Sequence, residues 1–78
     1  MSPETLIRMA NQIAAFFKAQ GTATAPAAIA EHLQSFWDPR MRKAIIALEA
    51  NGTATGLDPL AAAAVRMLKP VDAAAKVV

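Results

Sequence analysis

Apolar residues recur at three- and four-residue steps in four separate stretches of this chain, and a proline stands at or near the start of each. Over residues 3–20, Leu6, Met9, Ala10, Ile13, Phe16 and Phe17 make one stripe, while Arg8, Gln12 and Lys18 fall away from it. Over 26–36 the stripe is Ile29, Leu33 and Phe36, with Glu31, Gln34 and Ser35 facing elsewhere. Over 39–50 it is Met41, Ala44, Ile45 and Leu48, widened by Ile46. Over 59–69 it is Leu60, Ala63, Ala64, Met67 and Leu68. The period is helical throughout, so the pattern predicts an all-α fold, a small single-domain bundle of about four helices.

The punctuation agrees with these bounds. Ser2, Asp38 and Asp58 each precede a proline, and each is expected to cap a helix by accepting a hydrogen bond from its free first-turn amides. Gly21 is expected to end the first helix, Asn51-Gly52 the third and Pro70 the fourth. The expected core is Leu6, Met9, Ile13, Phe16, Phe17, Ile29, Leu33, Phe36, Ile45, Leu48, Leu60, Met67 and Leu68. Adjacent helical side chains diverge, so only one of Phe16 and Phe17 can point squarely into it. Residues 1–70 then form one helical domain, and residues 71–78, without turn residues or a periodic face, read as a flexible C-terminal tail.

Composition makes this core thin. The chain has 78 residues, 55% of them hydrophobic but only 5% aromatic, and alanine favours helix while adding little buried area. A domain of this size buries only about 60% of its unfolded surface, so a partner, or another copy of the chain, is a natural source of further burial. No run of 18 apolar residues occurs, which argues against a membrane span, and Pro3, Glu4 and Arg8 interrupt anything resembling a signal peptide. The absence of cysteine excludes disulfides and thiolate chemistry and suits a reducing cytoplasm.

Little in the chain points to catalysis. His32 is the single histidine and has no cysteine or second histidine beside it, so no metal-ligand set is expected. The three glycines are scattered, leaving no phosphate loop, and Asp38 and Asp58 read as caps rather than as an acid–base pair. No catalytic, cofactor-binding or metal-binding residue is assigned. Net charge is +2, and the cluster Arg40, Arg42 and Lys43 would give duplex DNA a salt slope of only about 3, so no nucleic-acid role is expected.

What stands out is Phe36-Trp37-Asp38-Pro39-Arg40-Met41-Arg42, which joins the only tryptophan to two arginines at a corner between helices. Tryptophan and arginine are the residue types that most often anchor interfaces, so Trp37, Asp38, Pro39, Arg40, Met41 and Arg42 form a candidate partner-binding surface. The same tryptophan would equally serve to close a small core.

Three stretches carry a resemblance. Met9-Ala10-Asn11-Gln12-Ile13-Ala14-Ala15-Phe16-Phe17, then His32 with Phe36 to Arg42, then Gly56-Leu57-Asp58-Pro59-Leu60 are similar, in this order, to the signature stretches of the delta subunit of NAD-dependent, molybdenum-containing formate dehydrogenase. The likeness runs from about Leu6 to Leu68. It implies that residues 1–70 are an accessory-subunit domain, non-catalytic and cytoplasmic, that supports assembly, molybdenum-cofactor insertion or stability by contacting the large alpha subunit. It implies further that the molybdopterin guanine dinucleotide, iron–sulfur clusters and flavin of the NAD-using complex are held by other chains. The threonine-alanine pieces at 22–24 and 53–55 depart from the more polar loops expected. Apart from the resemblance, the residues alone also suit a general helical adaptor or a homo-oligomerising module.

Overall fold

The computed structural model describes residues 2–70 and contains four helices: α1 Pro3–Gln20, α2 Ala25–Phe36, α3 Pro39–Ala50 and α4 Pro59–Met67. No strand occurs among the described residues, so the fold is all-α. The expected flexible tail, 71–78, lies outside them.

The predicted caps form. Ser2 Oγ accepts from the Thr5 amide at 3.2 Å, Asp38 Oδ1 from Met41 at 2.9 Å, and Asp58 Oδ1 from Leu60 at 2.8 Å. At the far end of α3 the Gly52 amide donates to the Glu49 carbonyl and the Thr53 amide to Leu48. That double bond pattern needs a left-handed residue after the C-cap, and Gly52 supplies it at φ 70°. α2 begins at Ala25, one residue before Pro26, because neither of the first two helical positions has an amide that must be satisfied within the helix. α4 stops at Met67, short of the expected 69, since the ring of Pro70 would clash with the carbonyl four residues earlier and turns the chain before it extended.

α1 packs against all three other helices, α2 lies along α4, and α3 meets α1 and α4. The fully buried large side chains are Ile29, Leu33, Ile45 and Val65. Around them the contact surface is made of Leu6, Leu68, Trp37 and six alanines: Ala10, Ala14, Ala25, Ala30, Ala61 and Ala64. Met9, Ile13, Phe17, Leu48 and Leu60 are half-buried and pack against this cluster. The alanines let backbones approach closely, which is how a chain with so few large apolar residues closes a core.

Three expected core residues lie outside it: Phe16, Phe36 and Met67 are 61%, 75% and 55% exposed. At 3.6 residues per turn, Phe17 shares the direction of Leu6, Ala10 and Ala14, whereas Phe16 lies about 100° away. Met67 is displaced by a similar angle from the row formed by Ala61, Ala64, Val65 and Leu68. Phe36 is the last residue of α2, and as the chain leaves the helix it is the next residue, Trp37, that turns inward.

Candidate partner-binding surface

The α2–α3 corner is built around a backbone problem. α2 ends without a glycine and without a basic residue in its last turn, so its terminal carbonyls lack the usual local partners. Arg42, from the first turn of α3, reaches back: its Nη1 donates to the Trp37 carbonyl and, at 3.4 Å, to that of Gln34. This places a cation at the negative end of the α2 dipole and ties the two helices together. Its Nε is buried without a hydrogen-bond partner among the described residues. Asp38 is committed to the amide of Met41, and the Trp37 ring is only 5% exposed. Of the six corner residues, Trp37, Asp38 and Arg42 therefore face inward or hold the bend.

Pro39 and Arg40 face water. Arg40 forms no ion pair among the described residues, where only Lys18–Asp58 and Arg66–Glu49 are joined, at 2.7 and 2.8 Å. Beside it a shallow groove of about 340 Å³ is lined by Leu6, Asp38, Arg40, Met41 and Ala44. Its floor is apolar, and its rim carries the Arg40 guanidinium, which forms no ion pair among the described residues, beside the Asp38 carboxylate that caps α3. Lys43, exposed one turn along α3, extends the positive edge.

A second feature went unread in the sequence. Phe16, Phe17, His32 and Phe36 form a row of rings across α1 and α2, with centroids 5.1, 5.9 and 4.8 Å apart in turn. The first two contacts are edge-on, a geometry that favours a fixed arrangement, and the third is tilted. Next to the row lies a dent of about 290 Å³ lined by Met9, Gln12, Ile13, Phe16, Phe17 and His32. The signal for it was present in the adjacent phenylalanines, one of which had to point away from the core.

Asn11, which lies in the first of the three signature stretches, joins the first helix to the start of the last. Its Nδ2 donates to the Gly56 carbonyl at 2.9 Å and its Oδ1 accepts from the Asp58 amide at 2.7 Å. Lys18 completes the junction on the Asp58 carboxylate. The hydrogen bond from Lys18 holds that carboxyl below the usual aspartate range; burial opposes it, and the Leu60 amide and the Lys18 charge reinforce it. Among the described residues no group of three His, Asp or Glu converges to hold a metal, and no helix is long and apolar enough to cross a membrane.

The three sequence stretches thus meet in space: Asn11 reaches Gly56 and Asp58, and Phe17 touches His32. No curated protein and no solved structure matches the chain. The model of one family does match, over residues 5–65, a span that takes in these junctions and the whole α2–α3 corner, and the chain accordingly belongs to the NADH-dependent formate dehydrogenase delta subunit family, FdsD.

Proposed function

We propose that this chain is a non-catalytic accessory subunit of a cytoplasmic, NAD-using formate dehydrogenase, and that it contacts the large alpha subunit through the α2–α3 corner. The observation that carries this reading is Arg40, an unpaired cation on the rim of an apolar groove inside the stretch Trp37 to Arg42. A partner segment of matching chemistry bears a carboxylate or free backbone carbonyls for Arg40 and an apolar side chain for the floor formed by Leu6, Met41 and Ala44. Trp37, Asp38, Pro39 and Arg42 serve the same contact by fixing the shape of the corner.

In this reading the molybdopterin guanine dinucleotide, iron–sulfur clusters and flavin belong to the other subunits, and the chain assists insertion of the molybdenum cofactor or the stability of the loaded enzyme. The test is copurification of the tagged chain with the complex, together with molybdenum content and formate-dependent NAD reduction. Arg40→Ala lowers retention of the large subunit or its molybdenum content while the helical spectrum of the isolated chain stays unchanged. Unchanged yield, metal content and turnover in Arg40→Ala, Arg42→Ala and the double variant rule out the corner as the contact. Recovery of the small chain alone points instead to an adaptor or homo-oligomer.

A further inference from the structure

Two of the chain's three phenylalanines, Phe16 and Phe36, lie on the surface, while alanine supplies six of the thirteen buried core residues. Both belong to the ring row that crosses α1 and α2, and that row shares no residue with the lining of the Arg40 groove between α1 and α3. We propose that this aromatic face is a second docking surface, and that its occupant is the apolar side of an amphipathic helix from a different subunit of the same complex. The inference rests on the assignment of the chain to a formate dehydrogenase assembly and extends it from one contact to two.

Charge and area select the occupant. The residues lining the dent are Met9, Gln12, Ile13, Phe16, Phe17 and His32, with no acidic, lysine or arginine side chain among them. A charged segment laid on this face would lose hydration without gaining a counter-charge, so the matching surface is uncharged. A second copy of the chain is a poor fit. Phenylalanines exposed to 61% and 75% offer roughly 300 Å² between them, against about 800 Å² per partner in a stable interface. A small ligand is no better served, because an open dent with Gln12 and His32 as its only polar side chains lacks the enclosure and the set of polar groups that a binding pocket requires. A helix laid along the valley between α1 and α2 needs only a few apolar anchors at three- and four-residue spacing, and its remaining contact area comes from the larger subunit that carries it.

The experiment places photoreactive benzoylphenylalanine at position 16, and separately at 36, in the assembled complex, with the exposed Ala27 of α2, which points about 180° away from Phe36 around that helix, as the control position. The expected result is a cross-link at least tenfold above the control, into a peptide of another subunit whose apolar residues recur at helical spacing. Cross-linking to a second copy of the chain, or yields equal to the control in a complex that has assembled, overturns the proposal. In a parallel arm, the double variant Phe16→Ser, Phe36→Ser keeps the helical spectrum of the free chain and lowers retention in the complex at least tenfold. Full retention also overturns it. Failure of the underlying assignment looks different, since then the unaltered chain copurifies with no large subunit at all.

Discussion

Arg40 and Arg42 stand two positions apart, and their surroundings give them opposite duties. Arg42 satisfies carbonyls at the end of α2 from a half-buried position, and its planar guanidinium is not replaceable by an ammonium. Arg42→Ala is expected to cost about 1.5–3 kcal/mol, the usual range for a hydrogen bond to a charged group, and Arg42→Lys to recover only part of it. Arg40→Ala stays within about 0.5 kcal/mol, as exposed substitutions do. Urea denaturation of the three variants separates them, and equal losses at both positions contradict the division. The same comparison applies to apolar residues: Ile45→Ala, at a fully buried site, costs about 2–5 kcal/mol, while Phe16→Ala leaves stability nearly unchanged. Periodicity alone placed Ile45 correctly and left Phe16 and Phe17 undivided. The deciding angle was available from the row of Leu6, Ala10 and Ala14, but alanines seldom register as the centre of a stripe.

The helices were legible because what starts and stops them is local. Ser2, Asp38 and Asp58 bond amides two or three residues away, and Gly52 acts on the turn beside it. The clasp between α1 and α4 was not legible, since Asn11 and its two partners lie 45 and 47 residues apart. Replacing Asn11 with alanine leaves a half-buried amide unpaired, and the expected loss is about 1–3 kcal/mol by chemical denaturation. Asp58 adds a pH signature to the same junction. Its carboxyl is held below the ordinary value, first by the Lys18 hydrogen bond, so the folded state binds that proton less readily than the unfolded chain does. The resulting stability is fully present above the unfolded value of about 3.9, and is lost as pH falls through the lower folded value. Asp58→Asn is therefore less stable at neutral pH and shows a flatter acid limb from about pH 5 downward. An acid limb identical to that of the unaltered chain removes Asp58 as its source.

At the scale of the whole molecule, four helix stripes foretold the fold class but not which helices pair. α2, with the buried Ala25 and Ala30, packs on α4, with the buried Ala61 and Ala64, and the value of such residues lies in the close approach they permit and not in any pattern of size. The candidate surface was half legible for a related reason. A sequence shows that Trp37 and Arg42 sit near a helix start, but only the fold reveals that both are used inside the corner, leaving Arg40 and Met41 to line the groove. A small alanine-rich domain with an unpaired cation at one groove and exposed rings on another face is suited to work while bound. The most direct measurement is amide hydrogen exchange on the chain alone and within the purified formate dehydrogenase complex. The first-turn amides of α3 are held only through Asp38, Met41 by its side chain and Arg42 by its carbonyl, so their protection reports on what covers the corner. Strong added protection over residues 40–44 in the complex is the predicted result, and exchange there at the rate of the free chain, in a complex that retains the subunit, contradicts the account.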